Sequence, residues 1–215
     1  MSERGFVVAL LGAESTGKTT LAAEIGATLA ARGLGVAVVG EVLREFCEAN
    51  ARTPRRDEQA AIAAAQSARI DAAAAGHEIV VADTTALMIA VYSEIVFGDK
   101  SLYARAEAAH RQRCDLTLLT ALDLPWQADG LQRDGPHVRE PVDALVRAAL
   151  GRAQVPWSVV FGIGGARSDA ALASVRRALT PPGGDEDSRN ARWHWHCERC
   201  GDAGCERHCL PQPPR

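Results

Sequence analysis

The chain has 215 residues, enough for one well-buried domain with a small appendage, and its net charge of -3 argues against a general nucleic-acid or membrane surface. Apolar residues make up 47% and charged residues 24%, an ordinary globular balance that excludes a disordered chain. No apolar run approaches the ~20 residues needed to span a bilayer.

The start, "MSERGFVVALLG", lacks a small-residue cleavage site and reads as a first strand at residues 6–11 running into glycine. It gives no sign of a signal peptide, so the expected location is the cytoplasm. A helix follows over 19–33 and stops at Gly33; "GVAVVGE" (35–41) reads as a second strand. "LREFCEANAR" predicts a helix, and a second, Ala-rich helix begins at Thr53-Pro54 and runs to His77. "EIVVADTT" (78–85) is a strand with an acid near its end. Helical segments at 86–98 and 100–113 lead to the strand at 115–121. A polar stretch, "LDLPWQADGLQRDGPHVREP", precedes a helix near 141–152, a fifth strand and turn at 157–165, and a last helix over 167–179. Five apolar strands separated by helices predict an α/β fold of the phosphate-loop NTPase type, with a five-stranded parallel sheet covered by helices on both faces. The expected organisation is a kinase-like domain over 1–182, a charged linker over 183–192 and a Cys/His-rich tail over 193–215.

The strand–loop–helix at the start carries Gly12, Gly17, Lys18 and Thr19 in the spacing G-x-x-x-x-G-K-[ST]. Its glycines let backbone N–H groups turn toward phosphate oxygens, and the following helix offers its positive N-terminus. Gly12, Glu14, Ser15, Thr16, Gly17, Lys18, Thr19 and Thr20 form the expected ATP-binding set. Lys18 would reach the β- and γ-phosphates, and the Thr19 hydroxyl would ligate Mg²⁺. Glu14 has two readings: it faces an acceptor pocket, or it pairs with a neighbouring cation and stiffens the loop.

No N-K-x-D or T-K-x-D follows, which argues against a guanine-reading switch, and too few residues remain for the helical subdomain of a ring-forming ATPase. A small-molecule kinase fits better. Asp83 stands where a strand beside the loop would place a base or a Mg²⁺-directing carboxylate; the alternative is a cap of the next helix. Glu41 ends the second strand at the same sheet edge, where it could take a hydroxyl proton or hold a ribose. Arg44, one turn later, could bind phosphate or simply pair with Glu41. Arg133 and Arg139 sit in a glycine-containing stretch with the properties of a lid, whose arginines would stabilise transferring phosphate. Trp126 is placed to stack on a flat heterocycle or to pack a hinge. Tyr92 is a second candidate stacker or a core residue, and Asp129 could bind ribose hydroxyls.

The blocks "GAESTGKTTLA", "GEVLREF", "DEQAAIAAAQ", "VADTTALMIAVYSEIVFG", "DLTLLT" and "LPWQADGLQRD" appear in order over roughly residues 5–165. Together they resemble the kinase domain of NadR-type nicotinamide riboside kinases and their stand-alone AAA-like ATPase relatives. The resemblance implies ATP-dependent phosphorylation of the 5′-hydroxyl of nicotinamide riboside, giving nicotinamide mononucleotide for NAD synthesis. It matches the family's glutamate-bearing loop to residues 14–19, and its tryptophan and aspartate to Trp126 and Asp129. The family's helix-turn-helix and adenylyltransferase regions have no counterpart in the sequence, so repression and dinucleotide synthesis are not expected.

Cys197, Cys200, Cys205 and Cys209 crowd the tail, with His208 among them, whereas Cys47 and Cys114 stand alone. In a reducing compartment this clustering favours a metal over disulfides. The spacing suits a compact Zn²⁺ knuckle, and tails in similar proteins imply Cys197, Cys200, Cys205 and His208 as ligands, with Cys209 as a substitute. A redox-sensitive, unfolded tail is the other reading. Two functions therefore compete: phosphorylation of a nucleoside, or a nucleotide-dependent regulatory module whose zinc knuckle engages a partner. The expected partners are ATP and a small nucleoside; no membrane or nucleic-acid surface is expected, and the sequence does not set the oligomeric state.

Overall fold

The computed structural model describes residues 4–127 and 135–180. In chain order the elements are β1 (Phe6–Leu11), α1 (Lys18–Ala30), β2 (Val36–Val39), α2 (Val42–Asn50), α3 (Gln59–Gly76), β3 (Ile79–Asp83), α4 (Ala86–Phe97), α5 (Tyr103–Arg113), β4 (Leu116–Thr120), α6 (Arg139–Ala153), β5 (Trp157–Val160) and α7 (Gly165–Leu179). The strands form one parallel sheet in the order β2-β3-β1-β4-β5.

β1 is central, which is why "FVVALL" is apolar without alternation: both faces of the strand are covered. Val8 and Leu10 pack on one face with Leu21 and Ile25 of α1 and with Leu172 and Val175 of α7. On the other face Val7 meets Ile70 of α3, while Leu11 joins α4 and α6 through Leu87 and Val146. Each fully buried aliphatic side chain of this kind contributes roughly 1.5–3 kcal/mol. The path leaves β1 toward β3 on one side and β4 on the other, so the C-terminal end of β1 is the switch point at which open α/β sheets gather ligands.

Several boundaries differ from expectation, each for a local reason. The segment before α3 is not helical from Thr53: Pro54 cannot supply an N–H, and Glu58 accepts from the Arg55 N–H at 2.7 Å and from Arg52 at 2.7 Å, folding a tight turn over Arg56–Glu58 first. β2 stops at Val39, so Glu41 is the N-cap residue just before α2 and not the end of a strand. β3 stops at Asp83 because Thr84 turns to φ 78° and Thr85 caps α4, its Oγ1 accepting from the Leu87 N–H. Helix α6 begins at Arg139, so that arginine belongs to a helix and not to a loop. β5 stops at Val160, before the left-handed Gly162 and Gly164 turn the chain into α7. The proposed linker and tail lie outside the described residues.

Candidate active site

The loop between β1 and α1 is shaped by close approach to β4. Gly12 has φ 147°, and a Cβ there would sit 2.1 Å from Thr120 Oγ1, so only glycine fits. Gly17 takes the left-handed conformation immediately before α1. Thr16 is buried: its hydroxyl donates to the Ala13 carbonyl at 2.8 Å and shares a 2.7 Å hydrogen bond with Thr120 Oγ1. The Thr16 side chain therefore braces the loop and leaves only its backbone for phosphate. Ser15 Oγ accepts from the Gln127 N–H at 2.7 Å, tying the loop to the segment after β4. Thr19 and Thr20 are exposed on the first turn of α1 and face the cavity described below.

Lys18 folds back over the loop, its ammonium donating to the Gly12 and Ala13 carbonyls at 2.9 Å each. The residue keeps surface toward the cavity, while its ammonium lies deep in protein. Burial lowers the Lys18 pKa; Glu41, Asp83 and Glu14, in that order, pull it back up, and Arg44 pushes it down. Acids from three different segments thus all act on one ammonium. Asp83 is buried at the end of β3, and its Oδ1 has no hydrogen-bond partner among the described residues. Glu41 lies 3.7 Å from the Arg44 guanidinium, both facing the cavity.

That cavity, about 630 Å³, runs across the phosphate loop. Its lining also includes Thr20, Glu24, Gly164 and Arg167 from α1 and the start of α7, and Leu43, Arg44, Gln59, Tyr92 and Phe97 from α2, α3 and α4. Glu14, Lys18 and Glu41 line it too. Tyr92 belongs to the cavity wall and also packs on the core beneath α4.

Two expected residues stand elsewhere. Trp126 is half-buried and does not line the cavity, where its neighbours Pro125 and Gln127 do. Arg139 is buried, donates to the Leu124 carbonyl at 2.9 Å and does not reach the cavity; burial lowers its pKa, with Asp123 opposing. It supports the segment after β4 from below, because the helix begins beneath that segment. Asp129, Arg133, Cys197, Cys200, Cys205, His208 and Cys209 lie outside the described residues. Among the described residues no group of three or more His, Cys, Asp or Glu side chains could hold a metal ion.

Sequence reading missed Arg167. It lies on the first turn of α7, is 5% exposed, and donates to Asp123 at 2.8 Å and to the carbonyls of Gly162 at 3.0 Å and Thr16 at 2.8 Å. Asp123 also accepts from the Gly162 N–H at 2.6 Å. One buried ion pair thus fastens the phosphate loop to the turn after β5. The only signal in the sequence was an arginine just past a glycine-rich strand end.

A glycine-shaped loop between the central strand and a helix, with a lysine and acids at the switch point, defines a phosphate-loop nucleotide-binding protein. The chain belongs to the AAA domain family, whose model matches residues 7–167. Its fold is similar to that of NadR protein in complex with NAD and AMP-PNP (21% identity, TM-score 0.64, covering 81% of this chain and 49% of that one). NadR in complex with NR matches almost equally (21%, TM-score 0.63, 81% and 49%). Deoxyadenosine kinase from M. mycoides, with products dCMP and a flexible dCDP bound, matches over 80% of this chain and 100% of that one (14%, TM-score 0.55). The chain spans about half the length of the NadR chains it matches. No curated protein matches the chain. No helix among the described residues is long and apolar enough to cross a membrane.

Proposed function

We propose that the protein is an ATP-dependent kinase of small nucleosides, with nicotinamide riboside as the preferred acceptor. The observation that carries the reading is one cavity of about 630 Å³ lined by the phosphate loop, by Glu14, Lys18 and Glu41 and by residues of α2 and α4, with Glu41, Asp83 and Glu14 all acting on the Lys18 ammonium. The volume is in the range of small-molecule sites. Structural neighbours that carry NAD, NR or deoxynucleotides in their complexes, and the block-by-block resemblance to riboside kinases, support the acceptor class.

In the reaction the acceptor hydroxyl oxygen bonds to the γ-phosphorus as the bond to the ADP oxygen breaks, and the hydroxyl proton passes to a carboxylate. Glu41 stands on the cavity wall and is the candidate to take it; Asp83 is buried at the end of β3, with Oδ1 open to a further partner. Lys18 exchanges its two carbonyl partners for phosphate oxygens, and loop N–H groups hold the rest of the triphosphate. Thr19 and Asp83 would hold magnesium, which neutralises charge on the β- and γ-phosphates. Tyr92 and Phe97 present aromatic surface to the acceptor ring.

The test is ATP consumption across a nucleoside panel. Strong stimulation by nicotinamide riboside supports the full reading. Clear turnover with another nucleoside alone keeps the kinase and rejects the riboside. Slow hydrolysis unmoved by every acceptor favours the regulatory module.

A further inference from the structure

Helix α3 buries one stripe against the sheet and its neighbours: Gln59, Ile62, Gln66, Ile70 and Ala74. An amide in the middle of such a stripe is out of place unless its polar atoms are used. Gln66 is completely buried, and its atoms are all spent on the backbone of the acidic edge. The Val42 N–H donates to Gln66 Oε1 at 2.8 Å, and Gln66 Nε2 donates to the Gly40 carbonyl at 3.2 Å. These are the peptide groups on either side of Glu41. The second Nε2 hydrogen is directed to the Thr84 carbonyl, 3.4 Å away, one residue past Asp83.

Thr84 needs such support. It is buried and β-branched, yet sits at φ 78°, a left-handed conformation that such residues rarely adopt. Its N–H donates to the Leu10 carbonyl at 3.1 Å, so the bend after Asp83 is held by β1 from one side and by Gln66 from the other. We infer that Gln66 is a positioning residue for phosphoryl transfer, its single amide fixing the spacing of Glu41 and Asp83 about Lys18. A primary amide suits the task, because it offers a donor and an acceptor side by side, as a peptide does, and brings no charge to a place already holding two carboxylates. The inference rests on the kinase reading above.

The test compares Gln66→Met, similar in volume but without the hydrogen bonds, and Gln66→Glu, which keeps the acceptor for the Val42 N–H. Each is assayed for turnover on the acceptor that the wild type uses, for equilibrium ATP binding, and for hydrogen exchange at the Val42 amide. Because misplacing a reacting group by about 1 Å can cost roughly 100-fold, kcat should fall about 10–100-fold in both. The ATP dissociation constant should stay within about twofold, because the phosphate loop is not touched, and the Val42 amide should exchange at least ~10-fold faster in Gln66→Met. A variant with wild-type kcat overturns the inference while leaving the kinase reading intact. So does unaltered exchange at Val42, or a loss of folding in both variants, which would make Gln66 a core residue only. A wild type inactive on every acceptor overturns both readings together.

Discussion

The two sides of β1 hold the site by different means. On the β3 side, two acidic residues are kept in place by a neutral amide from α3 acting on backbone alone. On the β4 side, the phosphate loop is kept in place by charge: Arg167 and Asp123, joined at 2.8 Å, reach the Thr16 carbonyl and the Gly162 peptide. The difference follows from what each side must do. Charge is already dense there, with Arg44 3.7 Å from Glu41 and Lys18 acting on both acids, and a neutral amide adds none. The charged clamp behind the loop grips peptide groups of the loop and of the turn after β5. Chemistry is carried on the neutral-clamped side and rigidity on the charged one.

Lys18, between the sides, belongs to both, and Lys18→Ala should therefore have the largest effect. Loss of one preorganised charge contact typically lowers kcat 10²–10³-fold, and a fall of about 10³-fold in acceptor phosphorylation is expected. Unchanged phosphorylation would remove the assignment. Arg167→Met should strip the charged side: it leaves Asp123, mostly buried, without its cation, and urea unfolding should show a loss of about 3 kcal/mol together with weaker ATP binding.

His110 spans the two sides, one ring nitrogen 3.2 Å from Thr85 Oγ1 and the other 2.9 Å from Thr117 Oγ1 on β4. Burial lowers its pKa to about 4, so it is neutral in the folded protein. The unfolded chain takes up a proton near pH 6.5 and the folded one only near 4. Stability should therefore fall as pH drops through that window, by up to about 3 kcal/mol. Hydrogen bonds from Arg52 and Arg56 hold Glu58 and Asp99 at about 2, below the ordinary carboxylate range, so they add losses only as pH falls further. In His110→Gln the slope between pH 6.5 and 4.5 should flatten; an identical slope would show that another group titrates. Smallest is Arg139→Met. A buried cation with two nitrogens lacking partners among the described residues is exchanged for an apolar chain, so stability should change by less than about 1 kcal/mol and turnover by less than twofold. A loss of 100-fold would restore Arg139 as a lid residue.

The phosphate loop was legible because its backbone conformation restricts which residues fit: Gly12 and Gly17 are required by positive φ, and the apolar run before them by burial on two faces. Asp83 was legible because strand ends in a parallel sheet share one edge, and Glu41 because it follows β2 by two residues at that same edge. Arg167 was not, because its partners are carbonyls of loops whose proximity depends on the order of β4 and β5. Gln66 was hidden in an Ala-rich helix with little contrast between faces; its spacing of four from Ile62 and Ile70 was the available clue, since a polar residue in an apolar stripe has to find partners. Arg139 misled because the polar stretch before it carries loop-forming residues right up to the first turn of α6.

The central place of β1 also governs when the site comes into being. Its partners arrive from far along the chain: Val8 pairs with Val81 and Leu116, and the loop it feeds is gripped by Arg167. Closing such distant pairings is slow compared with helix formation, and each must precede the next layer of contacts. A growing chain that has made β1, α1 and the whole phosphate-loop motif still lacks the strands on either side and the arginine that fastens the loop. Nucleotide binding should thus appear only at the end of folding, when residues up to about 167 have docked. ATP would then reward the finished domain alone, favouring completion over any half-built intermediate.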